Sequence, residues 1–345
     1  MKRIIAAVII LLGFGIAWQM LAVTKLKVVG QPSSTGVLAT QVEQPFFATL
    51  QKETGLPIEV DFKTLDTLGL KDTYQLPMMK EGIFDLVSLR LIQNSKNEVS
   101  LNGLDITGLN LDFKKGRMLA DAYMPVVDKH LQEKYQVKVL GLWSFGPQEL
   151  FCKKPIQRLS DLRGLKIRVA GELLGEYIAS FGAIPAIIPF DDTRAALQNQ
   201  LVDCAISSIA SASSADWFEY LRYYIPIAFN TGINAYAITL SKWNSLTEKQ
   251  QQTLQLAFDK HISNMWIVAE NVYQNSQACI AGQDSCKSGN KYKLIRVTIS
   301  SDDLGYIKRQ AKATAFKSWV EQCDKEYPGC SEEWLKIAGP IAGIH

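Results

Sequence analysis

The chain has 345 residues, with 37 lysine and arginine residues against 34 aspartate and glutamate residues, so that its formal net charge is +3. A charge this small argues against a nucleic-acid-binding protein, which usually carries a strong and clustered basic excess. Hydrophobic residues make up 47% and charged residues 21% of the chain, a composition typical of folded globular proteins and not of disordered ones. At roughly 150 residues per domain, the length suffices for two α/β lobes with their own cores.

The first residues have the pattern of a secretory signal peptide. Two basic residues precede an apolar run, Ile4–Trp18, as a charged n-region precedes a hydrophobic h-region. Small residues allow cleavage near Ala17 or Ala22, so residues 1–22 are predicted to be a signal peptide and the mature protein to be periplasmic. The alternative is an uncleaved anchor, because the apolar character approaches the roughly 20 residues that a membrane span needs.

Cysteine usage agrees with export. Two pairs are each seven residues apart: Cys279 with Cys286, and Cys323 with Cys330. Neither pair has the tight spacing of zinc ligands, whereas disulfides persist in an oxidising compartment. We therefore predict two short-loop disulfides, each worth about 2–3 kcal/mol on the chain-entropy model. The sequence leaves open whether Cys152 and Cys204 are free thiols or a third bond.

Strands and helices alternate through the first part of the chain. Apolar periodicity and capping residues predict strands at Leu26–Val29, Ile58–Phe62, Ile83–Leu89 and Val137–Trp143, and helices at Val42–Glu53 and Met118–Tyr135. This alternation indicates an α/β fold with a largely parallel sheet.

The composition changes at Ser144–Pro147, where we place the passage into a second lobe. Beyond it we predict strands at Leu150–Cys152, Leu165–Val169, Ala186–Ile188 and Val202–Ser207, and helices at Glu172–Phe181 and from Asp191 or Asp192 to Gln200. Asn234–Leu240 is predicted to return to the first lobe as a strand. Thr247 is predicted to cap a very long helix towards Val272, and Asp303–Tyr327 to form a final helix.

Arg168 has the local setting of an anion-binding residue. It lies near the end of the predicted strand Leu165–Val169, and a helix is predicted to begin at Glu172. In open α/β sheets, ligands bind beyond the carboxyl ends of strands. A helix N-terminus and a guanidinium both favour a carboxylate there. The alternative, and the more common case for an isolated arginine, is a surface ion pair with Asp161 or Glu172.

A series of short motifs runs through the middle of the chain: Val139–Trp143, Pro155-Ile156, Asp161–Val169, Phe181–Ala183, Pro189-Phe190, Ala196–Gln198 and Val202-Asp203. Gly82-x-x-Asp85 and Trp243-x-x-Leu246-Thr247 continue the series more loosely. In their order and spacing these motifs resemble the periplasmic solute-binding subunits of TRAP transporters, the tripartite ATP-independent transporters of organic acids. The resemblance implies an α/β, two-lobed periplasmic-binding-protein fold with hinge crossings and a long helix spanning both lobes.

On that fold, residues 23–145 and 233–273 are predicted to form lobe I. Residues 146–232 and 274–345 are predicted to form lobe II. The hinge is expected at the two crossings and in the middle of the long helix.

The resemblance also implies roles for particular residues. Arg168 is implied to pair with the substrate carboxylate, and Phe190 to line the pocket. Gln148 stands where the family often has a second arginine, and Ser207 where it has a polar amide, so the departures concern the ligand more than the fold. A pocket with one arginine suits a monocarboxylate, or a diacid whose second end meets hydroxyls and amides.

The other wall of the pocket is expected from the first lobe. Its candidates are polar residues that follow or end the predicted strands: Gln31, Ser33, Ser34, Ser88, Arg90 and, on the return crossing, Asn234. For each of them, simple solvation of a loop is the alternative. The aromatic residues Trp217, Phe218 and Tyr220 could stack on a ligand, but such a cluster is more often core.

A binding protein explains the sequence better than an enzyme does. There are three histidines, none placed beside a nucleophile, and no nucleophile elbow, phosphate loop or metal-spaced cluster. We predict a monomer that captures a small organic acid by hinge closure and delivers it to TRAP membrane subunits, with no cofactor, metal or nucleic acid. The alternatives are a ligand-sensing subunit of a membrane receptor and, less favoured, a periplasmic hydrolase using Cys204 or Ser207.

Overall fold

The computed structural model describes residues 23–109, 111–287 and 289–344. The predicted signal peptide and its cleavage sites lie outside these residues. Within them, no helix is both long and apolar enough to cross a membrane.

The strands follow the predicted order closely. In chain order they are β1 (Thr24–Gly30), β2 (Ile58–Thr64), β3 (Leu86–Arg90), β4 (Val137–Ser144), β5 (Gln148–Cys152), β6 (Lys166–Val169), β7 (Ile184–Ile187), β8 (Cys204–Ser208), β9 (Tyr223–Asn230), β10 (Ile233–Thr239) and β11 (Ile295–Arg296). They form a five-stranded sheet in the order β2-β1-β3-β10-β4 and a six-stranded sheet in the order β11-β9-β5-β8-β6-β7. The chain therefore builds two sheets, and β10 returns to the first of them as predicted.

The prediction of a largely parallel sheet is wrong, because both sheets are mixed. The pairs β1–β2, β1–β3, β6–β7, β6–β8 and β9–β11 are parallel, whereas β10 runs antiparallel to β3 and β4, and β5 runs antiparallel to β8 and β9. The antiparallel strands are those that the chain enters on crossing between the sheets, from β4 to β5 and from β9 to β10. Strand β9 itself was not predicted.

The helices cover both faces of the sheets. They are α1 (Gln44–Thr54), α2 (Gln75–Lys80), α3 (Leu91–Asn94), α4 (Phe113–Tyr135), α5 (Glu172–Ala179), α6 (Thr193–Gln198), α7 (Ile209–Ser214), α8 (Leu240–Ser245), α9 (Glu248–Ile280), α10 (Ser301–Ala311), α11 (Lys317–Glu326), α12 (Cys330–Ile337) and α13 (Gly339–Ala342). A π-helical segment, Lys312–Phe316, joins α10 to α11, so the predicted final helix is present but is followed by two short helices that were not predicted.

The long helix α9 contacts both halves of the molecule. Thr247 and Gln250 cap its start reciprocally, as the Thr-x-x-Gln spacing predicts. Gln255 and Trp266 donate hydrogen bonds to backbone carbonyls of β4, both at 2.8 Å, and the helix then packs against α7 near the second sheet. A single continuous helix therefore contacts both lobes.

The last three helices, α11 to α13, lie on the first lobe, whereas α10 packs against α5, where the Tyr177 hydroxyl donates to the Ile307 carbonyl. The indole of Trp319 donates to the Val99 carbonyl at 3.1 Å, and that of Trp334 donates to the Gly103 carbonyl at 2.7 Å. Helices α12 and α13 also contact α4. The lobe boundaries stay a prediction. The hydrogen bonds of Trp319 and Trp334 to residues 99 and 103, however, place part of residues 274–345 against the first lobe.

Asp105 holds the two crossings side by side. Its buried carboxylate accepts hydrogen bonds from the backbone N–H groups of Thr231, Gly232 and Ile233 at 2.7–3.2 Å, and the Phe145 N–H donates to the Gly232 carbonyl. Gly232 has φ +67°, and a Cβ there would lie 2.9 Å from the Gly146 carbonyl oxygen, so the close approach of the crossings requires glycine.

All six cysteines form disulfides. The predicted bonds Cys279–Cys286 and Cys323–Cys330 are present. Cys152 and Cys204 form the third, because they are paired directly across β5 and β8. The open question about this pair is thus resolved in favour of a bond.

Candidate functional site

Arg168 lies in the interior of the second sheet. It is 2% exposed, and it donates hydrogen bonds from Nε to the Ile188 carbonyl and from Nη1 to the Ile206 carbonyl, each at 2.9 Å. These two carbonyls come from the segment after β7 and from β8. They fix the plane of the guanidinium and leave its other N–H groups available.

The alternative of a surface ion pair for Arg168 is excluded. Asp161 pairs with Arg158 at 3.4 Å, and Glu172 pairs with Lys96 at 3.1 Å. Among the described residues Arg168 has no salt-bridge partner. Burial, reinforced by the charge of Arg90, lowers the pKa of Arg168 to about 9. It therefore remains charged at neutral pH, and a buried cation without a carboxylate is costly unless an anion binds to it.

Aromatic rings flank this guanidinium. The Cζ atom of Arg168 lies 5.4 Å from the Trp217 ring centroid, and Phe190 packs against Trp217 with ring centroids 5.0 Å apart. Phe190 and Trp217 are both buried, in a core cluster that also contains Phe218. The aromatic residues therefore belong to the core, which is the more common role of such a cluster. Trp217 nevertheless also contacts Arg168.

A second arginine faces the same aromatic pair from the first lobe. Arg90 ends β3, and its Cζ lies 5.7 Å from the Phe190 ring. It is 6% exposed, and its Nη1 lies 3.4 Å from Oδ2 of Asp72, which is also buried. The expectation of a pocket with one arginine stays a prediction, but the neighbourhood of Arg168 contains a second arginine. Arg90 was named among the strand-end residues, and its partner Asp72 was missed because no motif marks it.

Gln31 and Ser88 are brought together on the first lobe. The Gln31 amide donates to the Ser88 carbonyl at 3.0 Å and to its hydroxyl at 3.1 Å. The Gln31 Oε1 atom is buried and finds no hydrogen-bond partner within the described part of the chain, while the Gln31 backbone N–H donates to Glu43. Ser88 lies two residues before Arg90 on β3, so that the two side chains share one face of the sheet.

Asn234 lies beside Arg90 on that face. The two residues are paired directly across β10 and β3. Asn234 is buried, and its amide donates to the Gly232 carbonyl at 2.9 Å. Gln31, Ser88, Arg90 and Asn234 thus form a continuous polar surface at one end of the first sheet.

Two predicted residues lie apart from Arg168. Gln148 pairs with Ser208, whereas Arg168 pairs with Ala205, so the alternation of side chains places Gln148 on the opposite face of the sheet. Its amide donates to the Gly146 carbonyl at the crossing. Ser33 takes part in a local turn, where its hydroxyl accepts a hydrogen bond from Gln44. Ser207 is buried and shares the face of Arg168.

The lobes contact each other across the cleft. Ser34 donates a hydrogen bond to Asp191 at 2.6 Å, and Lys96 pairs with Glu172. A cavity of about 310 Å³ lies between the lobes, lined by residues 65, 66 and 69–72 of the first lobe and 189–192 of the second. Its lining includes Asp72, the partner of Arg90, and Phe190, but neither arginine. The N-terminus of α5 is not part of it in this arrangement, because Gly171 lies against Ile92 of the first lobe.

Two buried carboxyl groups were not predicted, and one of them, Glu43, is bonded to the polar surface through the Gln31 backbone N–H. Burial raises the pKa of Glu149, on β5, and that of Glu43, beside Gln31, each to about 7. Glu149 accepts a hydrogen bond from Tyr273 of α9, and its second oxygen has no partner. The described residues contain no group of side chains that could hold a metal ion.

Comparison with known proteins identifies the family. The family model described as "Bacterial extracellular solute-binding protein, family 7" (DctP) matches residues 44–285. A curated relative, a solute-binding protein of Roseobacter denitrificans, is 27% identical over 132 residues, which are 38% of this chain and 41% of that protein. The chain thus spans less than half the length of that relative.

Solved structures share the fold. A TRAP periplasmic solute-binding protein from Desulfovibrio salexigens superimposes with a TM-score of 0.80 at 16% identity, over 92% of this chain and 99% of that one. The extracytoplasmic solute receptor DctP7 of Bordetella pertussis gives a TM-score of 0.77 at 18% identity, with the same coverage. Together with a family match over more than half of its length, this fold shows that the chain belongs to the DctP family of bacterial extracellular solute-binding proteins.

Proposed function

We propose that this protein captures a small organic acid between its lobes, with Arg168 binding the carboxylate. The observation that carries the proposal is a buried guanidinium that has two carbonyl acceptors and no carboxylate partner among the described residues. A carboxylate supplies both the missing charge and two oxygen acceptors in the geometry of the guanidinium.

The chemistry of related proteins supports the ligand class. The Desulfovibrio salexigens structure contains orotic acid, and the Bordetella pertussis receptor binds pyroglutamic acid. Orotic acid and pyroglutamic acid are the ligands of those two proteins. For this chain they support only the general ligand class of small carboxylates.

Capture by hinge closure follows from where the two walls lie. Arg168 and Phe190 belong to the second lobe, whereas Arg90, Gln31 and Asn234 belong to the first. A ligand touches both sets only when the lobes are together, so its binding favours the closed arrangement. The contacts of Ser34 with Asp191 and of Lys96 with Glu172 close the cleft from both sides.

Delivery to TRAP-type membrane subunits is the proposed next step, with the protein acting as a periplasmic monomer after removal of residues 1–22. A ligand-sensing subunit of a membrane receptor is the second candidate, since it would use the same cleft. A hydrolase is disfavoured, because Cys204 is bonded to Cys152 and therefore is not a free nucleophile.

A melting experiment tests the proposal. Carboxylic acids that bind should raise the melting temperature by about 4 °C at a hundred times their Kd, given about 2.7 kcal/mol of linkage and the unfolding entropy of a chain of this size. The corresponding neutral alcohols should have no effect, and no acid should be consumed.

Arg168→Ala should abolish the shift. Lys166→Ala is the matched control, since it removes an exposed cation from the same strand. Equal shifts in Arg168→Ala and the wild type would show that the carboxylate binds elsewhere.

A further inference from the structure

Arg90 is a buried cation whose hydrogen-bonding capacity is not fully used. Its backbone N–H donates to Gln75 at 3.0 Å, and its Nη1 lies 3.4 Å from Asp72. Its Nε–H, however, is buried and has no hydrogen-bond partner among the residues that the structure describes. Leaving a buried donor unpaired is costly, so this N–H is a natural place for a ligand acceptor.

Arg90 and Arg168 approach one site from opposite lobes. The contacts run from Arg90 to Phe190 at 5.7 Å, from Phe190 to Trp217 at 5.0 Å, and from Trp217 to Arg168 at 5.4 Å. The charge of Arg90 also contributes to lowering the pKa of Arg168. The two guanidiniums therefore lie against the same pair of aromatic rings, Arg90 on Phe190 and Arg168 on Trp217, and their charges act on each other.

The charges around these arginines are not equivalent. Asp72 is 4% exposed and forms an ion pair with Arg90, whereas Arg168 has no salt-bridge partner among the described residues. The pair of Arg90 and Asp72 is neutral, and the further buried carboxyl group of Glu43, which accepts from the Gln31 backbone N–H, has its pKa raised by burial to about 7. The charges of Asp72 and of the exposed Asp191 both act on Arg168, so little positive charge remains for a second carboxylate.

We propose that the site selects a monocarboxylic acid whose far end is an uncharged amide-like group. The carboxylate pairs with Arg168, the amide oxygen accepts from Nε of Arg90, and the amide N–H faces the unpartnered Oε1 of Gln31. A second carboxylate at that end would lie near Asp72, where burial of an unbalanced charge is costly. This inference rests on the proposed function and specifies its ligand class.

Matched pairs of ligands test the selectivity. The pairs are succinate and succinamate, glutarate and glutaramate, and isophthalate and 3-carbamoylbenzoate, in which one carboxylate is replaced by an amide of the same shape. Titration calorimetry on the wild type should give Kd values at least about tenfold lower for the monoamide of a pair that fits, because an unpaired buried charge costs several kcal/mol. Equal or tighter binding of the diacid would overturn the inference.

Asp72→Asn tests the cause of the selectivity. Removal of this negative charge should move the ratio of the two Kd values by at least about tenfold towards the diacid. Glu59→Gln is the control, since it makes the same charge change at an exposed position of the first lobe. An unchanged ratio in Asp72→Asn would refute the role of Asp72, and the wild-type comparison stands even if this variant does not fold.

Failure of the proposed function would look different. In that case no member of any pair would bind, or Arg168→Ala would bind the ligands as tightly as the wild type. Failure of the selectivity alone would leave binding dependent on Arg168, with diacids bound at least as well as their monoamides.

Discussion

Arg168→Met separates a binding role of this residue from a structural one. Burial lowers the pKa of Arg168 from its ordinary value to about 9, which corresponds to a cost on the order of 5 kcal/mol for the charged form in the folded protein. The substitution removes that cost and keeps an unbranched side chain of similar length.

The losses offset much of this gain. The carbonyls of Ile188 and Ile206 lose their donor, at about 1–3 kcal/mol each. The contact with Trp217 loses its cationic part, at about 1–2 kcal/mol. The free energy of unfolding without ligand should therefore rise by no more than about 2 kcal/mol and fall by no more than about 3 kcal/mol.

The affinity for a carboxylate should change far more. Removing one partner of a buried ion pair costs about 4 kcal/mol, which corresponds to roughly a thousandfold increase in Kd. Urea denaturation measures the stability, and titration calorimetry measures the affinity. Lys166→Met, on the exposed part of the same strand, should alter neither.

Two results would refute this reasoning. A decrease of more than about 4 kcal/mol in the free energy of unfolding would exceed what the two unpaired carbonyls explain. It would mean that Arg168 mainly stabilises the second sheet. A Kd within threefold of the wild-type value would mean that the carboxylate is bound by other residues.

Three further predictions concern stability and closure. Replacing Cys152 and Cys204 by alanine should lower the free energy of unfolding, measured by urea denaturation, by about 4 kcal/mol, because this disulfide closes a loop of 52 residues. Removing either short-loop disulfide should lower it by only about 2.5 kcal/mol. Equal decreases for all three disulfides would contradict the dependence on loop length. Burial raises the pKa of Glu149 from 4.5 to about 7, so the folded state holds the proton more tightly than the unfolded chain and stability should fall as the pH rises through this range. Glu149→Gln should therefore be more stable than the wild type at pH 8 by up to about 3 kcal/mol but not at pH 4, and an equal difference at both pH values in denaturation curves would show that Glu149 does not titrate there. Ser34→Ala removes the hydrogen bond to Asp191 across the exposed mouth of the cleft. The radius of gyration without ligand should therefore rise in solution scattering, and the Kd should increase by about twofold to fivefold, because an exposed contact contributes less than about 1 kcal/mol. An unchanged radius of gyration and Kd would show that this contact does not hold the lobes together.

The parts of the fold that depend on local sequence could be predicted. The strand, turn and helix around Arg168 follow from periodicity and capping residues within about twenty positions, and Cys279–Cys286 closes a loop of seven. Cys152 and Cys204 could not be paired in advance, because their bond depends on the register of β5 against β8.

The candidate site likewise combines residues that the local sequence marks with contacts that arise only in the folded chain. Arg168 and Phe190 could be named from the family motifs and Arg90 from its strand end, whereas Asp72 could not be named. That Arg90 meets Asp72 and Phe190 depends on the folded chain. Gln148 was misplaced for a related reason. A difference of one residue in register exchanges the two faces of a strand, and the sequence does not fix the register of β5.

The binding role of Arg168 can be seen in a crystal structure of the complex. With the acid that raises the melting temperature most, we expect a carboxylate oxygen within about 3.0 Å of the guanidinium nitrogens of Arg168, between the two lobes. A ligand found elsewhere would contradict it, for example in the cavity of about 810 Å³ that Lys114, Lys115, Lys308 and Lys312 line beside the C-terminal helices.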